Sequence, residues 1–193
     1  NKLKKKINQQ KTASPDVPKQ PTPAVEEQNG GLTRIALSRL QKDFAEYEPI
    51  PGCVFERADK SDFTRYKLSI TPMDGYYKGG RYEFTIEAPR DYPLNPPKVL
   101  CITPVYHPNI DLEGHVCLST LRVDKDWSPV STLSHVIYGL LSLFLEPNPD
   151  DPLNVDAGNT MKADLSEFVR IVNKTMRGGR FFGKDFPRFN KCN

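Results

Sequence analysis

The chain has 193 residues, of which 37% are hydrophobic, enough for one domain of about 150 residues with tails. No apolar run long enough to span a bilayer as a helix occurs and no signal pattern opens the sequence, so neither a helical membrane span nor secretion is expected; the formal net charge of +3 is too small to point to nucleic acid. Cys53, Cys101, Cys117 and Cys192 lie far apart with no C-x-x-C pair, which suits reduced thiols of cytosol or nucleus rather than a disulfide framework.

Residues 1–11, "NKLKKKINQQK", hold five lysines and no acid, with Leu3 and Ile7 four apart. As a helix, that spacing puts both on one face, where they can anchor in a partner's groove; the bland alternative is a solvated basic tail. Residues 13–30, with four prolines and a closing Asn-Gly, read as a linker. The extension therefore covers residues 1–30, and the folded domain with its C-terminal tail covers 31–193.

From Thr33, a capping residue, Leu37, Leu40 and Phe44 form a helical stripe that ends before Pro49 and Pro51. Residues 53–58 are short and ambiguous. "YKLSI" (66–70) and "YEFTIEA" (82–88) alternate apolar and polar residues, and "MDGYYKGG" between them supplies turn residues. "KVLCI" (98–102) is a continuous apolar strand, so an antiparallel meander of about four strands is predicted. Val105 to Pro129 shows no period, and a long irregular segment in a compact domain is usually functional. Thr132 then caps a helix whose Leu133, Val136, Ile137, Leu140, Leu141, Phe144 and Leu145 form a wide apolar face, stopped by Pro147. Helices near 156–162 and from Asp164 to Arg177 follow, with Gly178-Gly179 as a C-terminal stop. The order predicts an α+β fold. In the tail, Phe181, Phe182, Phe186 and Phe189 are expected to pack, because exposed together they invite aggregation.

The irregular segment contains "HPNIDLEGHVCLST" (107–120). A structural zinc site needs four ligands in spaced pairs, and His107, His115 and Cys117 have no second pair. A phosphatase loop with Cys117 and Arg122 has one residue too few and lacks the glycine. A papain-like site needs a histidine base, and no pattern ties His107 or His135 to Cys117. A buried cysteine acting as a small hydrophobe stays open. Against that stand the irregular setting, Asn109 eight residues earlier with Pro108 stiffening its turn, and the acidic pair Asp150-Asp151 beyond the core helix.

The chain closely resembles the ubiquitin-conjugating enzyme family over about residues 32–178, on "YPLNPPKV" (92–99), "HPNI" (107–110), "GHVCLSTL" (114–121), "WSPV" (127–130) and "EPNPDDPLN" (146–154). The resemblance implies a ubiquitin-conjugating-enzyme fold: N-terminal helix, four-stranded antiparallel sheet, central helix and C-terminal helices. It implies that Cys117 accepts the modifier's C-terminal glycine as a thioester. Asn109 matches the family's asparagine for the oxyanion or its loop, and Asp151 the acid that orients and deprotonates the incoming lysine. His107 reads as support within the loop. Two positions depart from the pattern: Ser119 stands where many members carry an acid, and the segment between Cys117 and Trp127 is longer than usual.

Within the family, "YYKGGRYEF" (76–84), "IDLEGHVCL" (110–118), "LFLEPNPDDPLN" (143–154) and "TMRGG" (175–179) are most similar to the conjugating enzymes of the neddylation pathway, which modify cullins. That likeness implies as partners a ubiquitin-like modifier, a heterodimeric activating enzyme that docks Leu3 and Ile7, a RING-type ligase met by the first helix with Leu94, Pro129 and Val130, and a cullin substrate. It implies no nucleic acid, no membrane, and no metal or cofactor, ATP being used upstream by the activating enzyme. A monomer in cytoplasm and nucleus is expected. The competing readings are a conjugating enzyme for ubiquitin itself and a non-catalytic variant that only binds modifiers or ligases.

Overall fold

The computed structural model of the chain describes residues 31–118, 121 and 126–189. The predicted extension with Leu3 and Ile7, Ser119 and Arg122 lie outside the described residues. Helix α1 (Arg34–Ala45) begins at Thr33, whose hydroxyl accepts the Ala36 N–H at 3.1 Å. Its inward line is Ala36, Leu40 and Asp43, one step around from the predicted stripe, and Leu37 and Phe44 are only partly buried. The stripe was displaced because a charged residue, Asp43, occupies the inner face.

Strands β1 (Cys53–Arg57), β2 (Arg65–Ile70), β3 (Tyr82–Glu87) and β4 (Lys98–Cys101) pair antiparallel in chain order. The ambiguous stretch after Gly52 is thus the first strand. The register aligns Phe55, Leu68, Phe84 and Cys101 as one inward row across the sheet. Helix α2 (Leu133–Leu145) lies in the core, burying Leu133, Val136, Ile137, Leu140, Leu143 and Phe144. Leu143 takes the inward place expected of Leu145, which is exposed at the helix end. The Phe144 ring stacks on Tyr82 at 4.5 Å and meets Tyr77 and His107 edge-on, each at 5.5 Å. Helices α3 (Val155–Ala163) and α4 (Leu165–Met176), capped by Asn154 and Asp164, follow.

Beyond α4 the chain does not simply stop. Gly178, at φ +81°, turns it out of the helix, and a hairpin forms from β5 (Arg177–Phe181) and β6 (Lys184–Arg188). The "RGG" is therefore both a helix terminator and the start of a strand. Phe186 is buried, and Phe189 packs edge-on against Tyr82 at 5.3 Å, so the aromatic tail docks on the domain.

Asp43 ties the front of the molecule together. Its carboxylate accepts from the Tyr92 hydroxyl, from the Leu133 N–H at 3.2 Å and from Arg39 Nε at 2.8 Å. The Arg39 guanidinium in turn donates to the carbonyls of Pro129 (2.7 Å), Val130 (3.3 Å) and Ser131 (2.6 Å). One buried acid thus joins α1, the loop after β3 and the first turn of α2. Removing it leaves three donors aimed at nothing. Asp43→Ala is expected to cost about 3–5 kcal/mol in urea unfolding, the range for breaking a buried charged pair from one side; a loss under about 1 kcal/mol would show that water replaces the carboxylate.

Candidate active site

After β4 the chain folds back at His107–Ile110 and again at Asp111–Gly114, returns beside β4 through the isolated bridge of Leu100 with His115, and closes on itself through that of Ile110 with Val116. Asp111 shapes the second turn: one oxygen accepts the N–H groups of Glu113 (3.0 Å) and His115 (2.8 Å), the other meets His115 Nδ1 at 2.7 Å. Gly114, at φ +91°, lies so close to β4 that a Cβ there would come within 2.1 Å of the Cys101 carbonyl oxygen, and its own carbonyl accepts the Cys101 N–H at 2.8 Å. Only glycine allows this approach.

His107 is fully buried. Its Nδ1 accepts the Asn109 N–H at 2.9 Å, so Nε2 carries the proton and donates to the Leu143 carbonyl at 2.9 Å. The ring stacks on Tyr77 at 5.0 Å. Burial pushes its pKa down to about 4, against a smaller upward pull from the Leu143 carbonyl. The imidazole is thus neutral at physiological pH and has no nitrogen to spare for metal or proton transfer.

Pro108 and Asn109 clamp the loop that follows α2. The Pro108 carbonyl accepts the N–H groups of Leu153 (2.8 Å) and Asn154 (2.9 Å). The Asn109 side chain donates to the Asn148 carbonyl at 2.8 Å and, at 3.4 Å, to that of Asp151, while its oxygen accepts the Asn148 N–H at 2.8 Å. Asp151 is exposed, and its neighbour Asp150 pairs with Lys162 at 3.0 Å. The Cys117 N–H donates to the Asn109 carbonyl at 2.8 Å. Asn109 therefore holds the cysteine through its backbone and the loop of Asp151 through its side chain.

The three described cysteines are thiols, but their settings differ. Burial pushes Cys53 up to about 11 and Cys101 up to about 12, which keeps both protonated and inert. Cys117 is only partly buried. The chain's three histidines are bonded elsewhere: His107 as above, His115 to Asp111, and His135 in the capping box of α2 with Thr132. Among the described residues no three His, Cys, Asp or Glu side chains gather where they could hold a metal. What the arrangement offers is an accessible thiol in a braced loop beside an acidic loop.

Leu94, Pro129 and Val130 are on the surface, Leu94 63% and Val130 80% exposed. Their loops are joined underneath by the Trp127 indole N–H donating to the Pro93 carbonyl at 2.9 Å, and from α1 by Arg39. Sequence reasoning missed Arg39, Asp43 and Tyr92 as the frame beneath this face; the one available signal was an Arg and an Asp four apart on a helix.

Residues 39–176 match the ubiquitin-conjugating enzyme family. The chain is 51% identical over 150 residues to "NEDD8-conjugating enzyme Ubc12" of Dictyostelium discoideum, an alignment covering 78% of this chain and 64% of that protein. It is 44% identical over 156 residues to "Nedd8-conjugating enzyme UbcE2M" of Drosophila melanogaster, covering 79% and 85%. Among solved structures, that of S. cerevisiae Ubc12 superposes with a TM-score of 0.73 at 38% identity, covering 80% of this chain and 85% of the other.

The buried His107 links stability to pH. Its folded pKa of about 4 lies below the ordinary 6.5, so between those values the unfolded chain binds the proton that the folded one refuses. Its contribution is complete above about pH 6.5 and drains as the pH falls toward 4. Unfolding free energy should drop by about 2 kcal/mol from this group between about pH 7 and pH 5. Urea titrations at both pH values check this, and His107→Gln should flatten that part of the slope.

Proposed function

Because this chain belongs to the ubiquitin-conjugating enzyme family, we propose that it takes a ubiquitin-like modifier of the neddylation pathway from a heterodimeric activating enzyme as a thioester on Cys117 and passes it, with a RING-type ligase, to substrate lysines, chiefly of cullins. The observation that carries the reading is the double hold of Asn109, with the Cys117 N–H on its carbonyl and the loop of Asp151 on its side chain. The neddylation branch is supported by the relatives, which are named for conjugating NEDD8.

In the first step the Cys117 thiolate attacks the carbonyl of the modifier's thioester on the activating enzyme. A new C–S bond forms, the old one breaks, and the other thiolate leaves. One thioester replaces another, so the acyl group arrives already activated, no strong base is needed and no cofactor or metal of the protein's own is called for; ATP is spent upstream. In the second step a lysine amine attacks that carbonyl, an isopeptide C–N bond forms, and Cys117 leaves as thiolate. At neutral pH less than about one lysine in a thousand is uncharged. The Asp151 carboxylate orients the lysine and takes the ammonium proton before attack, so that the neutral amine forms the bond; the second proton leaves the nitrogen to solvent as the thiolate departs. Asn109 serves chiefly by holding that carboxylate's loop. For its amide to stabilise the oxyanion, a contribution of about 10²–10³ in rate, the hydrogen now in the longer contact to the Asp151 carbonyl has to turn toward the substrate.

The remaining roles rest on the resemblance together with surface chemistry. Leu3 and Ile7 in the basic extension dock on the activating enzyme, and α1 with Leu94, Pro129 and Val130 receives the ligase. Thiols that stay reduced suit cytoplasm and nucleus.

The test mixes the protein with ATP and either the neddylation or the ubiquitin activating enzyme, each with its own modifier, and reads a non-reducing gel. A thiol-sensitive adduct with the neddylation pair, absent in Cys117→Ala, is expected. Charging with ubiquitin alone would keep the chemistry and move the branch, and no adduct with either would favour a binding-only protein. Leu94→Ala is expected to weaken ligase-stimulated transfer roughly ten-fold, as loss of an interface anchor does, with charging nearly unchanged; equal loss of both steps would remove Leu94 from the ligase face. Deleting residues 1–28 should slow charging by the neddylation activating enzyme, and an unchanged rate would make the extension inert in that step.

A further inference from the structure

The hairpin β5–β6 lies beyond the residues that match the family, yet its tip comes back to the catalytic loop. Its two-residue connection, Phe182-Gly183, has both residues in the left-handed region, at φ +52° and +76°. Such turns favour Asn-Gly, because a bulky side chain crowds its own backbone there. Phe182 is the one non-glycine residue with positive φ among those described, and it is half exposed. A phenylalanine in that position is poor for the turn and poor for the surface, which directs attention to what its ring touches.

The ring stacks on Tyr106 at 5.2 Å with 15° between planes. Tyr106 also meets Phe168 of α4 at 5.9 Å, donates from its hydroxyl to Thr160 at 3.1 Å, and accepts the Tyr77 hydroxyl on its carbonyl at 2.8 Å. The next residue is His107. Two positions after Phe182, Lys184 reaches Glu113 at 3.5 Å, in the turn that leads to Cys117. One hairpin tip therefore touches both limbs of the loop, the one entering at Tyr106 and the one returning before the thiol. Its base is firmly held: the Phe189 N–H donates to the Met176 carbonyl at 3.0 Å, Phe186 is buried, and Lys174 sits over the Phe181 ring at 5.0 Å.

We propose that the hairpin is a brace for the catalytic loop, with Phe182 and Lys184 as positioning residues for thioester transfer. The proposal builds on the reaction assigned above. The brace fixes Tyr106 and the Asp111–Gly114 turn, and through them the Asn109 carbonyl and amide that hold Cys117 and the loop of Asp151.

Phe182→Asn separates the brace from the turn, since asparagine suits the left-handed position better while removing the ring. In the full chain, amide exchange at Asn109 and Cys117 should quicken in this variant, and single-turnover discharge of the purified Cys117 thioester onto free lysine should slow by about five- to ten-fold, well inside the ~10²-fold that a 1 Å misplacement can cost. Phe182→Tyr should restore both. Lys184→Glu and Glu113→Lys should each slow discharge about two-fold, in keeping with an exposed ion pair, and the double exchange should recover it. Wild-type exchange and discharge in Phe182→Asn would overturn the brace, and unaffected charge variants would remove Lys184 from it. Should the unmodified protein accept no modifier at all, the proposed reaction fails, while the exchange measurement still decides whether the hairpin steadies the loop.

Discussion

The architecture around Cys117 hangs on one neutral imidazole. His107 joins the last turn of α2, through the Leu143 carbonyl, to the peptide of Asn109. A charged side chain would be costly in that apolar setting, and a purely apolar one would leave the Leu143 carbonyl and the Asn109 N–H without partners. A histidine held as one tautomer meets both demands, offering one acceptor and one donor across a flat ring that stacks on Tyr77. Everything downstream, from the Asn109 clamp on the 148–154 loop to the amide of Cys117, takes its position from that bond pair.

Seen this way, α2 is a beam with a polar joint at each end. At its start Asp43 collects α1, Tyr92 and the Leu133 amide, and sets the loops bearing Leu94, Pro129 and Val130. At its end His107 and Asn109 collect the loop of Cys117 and the acidic loop. Between them the helix buries an apolar face in the core, its Phe144 against Tyr82 and Phe84 of β3. A buried polar joint is worthwhile only when its members are satisfied, and Asp43, His107 and the Asn109 amide each find partners. The distance between the face of Leu94, Pro129 and Val130 and the loop of Cys117 is thereby bridged by one stiff element.

Much of this is legible in the sequence. The meander followed from alternation in "YKLSI" and "YEFTIEA", α2 from its apolar periodicity, and the importance of the 107–120 stretch from its lack of period. The family was legible as a resemblance in "HPNI", "GHVCLSTL" and the motifs flanking them, and its neddylation-like branch as a resemblance in "YYKGGRYEF" and "LFLEPNPDDPLN"; the family match bears out the first and the NEDD8-conjugating relatives the second. What was not legible has physical reasons. Asp43 reads as a surface residue until Tyr92, distant in sequence, supplies its donor. The hairpin was hidden because its strands carry arginines and glycines rather than alternating β-formers, and because Gly178 is an equally good helix stop. The role of the Asn109 side chain, held by the acidic loop on both its nitrogen and its oxygen, depends on a meeting of segments thirty-nine residues apart.

The close approach of Gly114 to Cys101 has a further meaning. A four-stranded meander ends in an outer strand whose unpaired N–H and C=O groups form a template for another chain. Here β4 is covered by the returning limb of the Cys117 loop itself, through the Cys101 amide on Gly114 and the bridge of Leu100 with His115. The segment that carries Cys117 is also the guard of the sheet's edge. A change that frees the loop therefore uncovers an adhesive strand as well as moving Cys117.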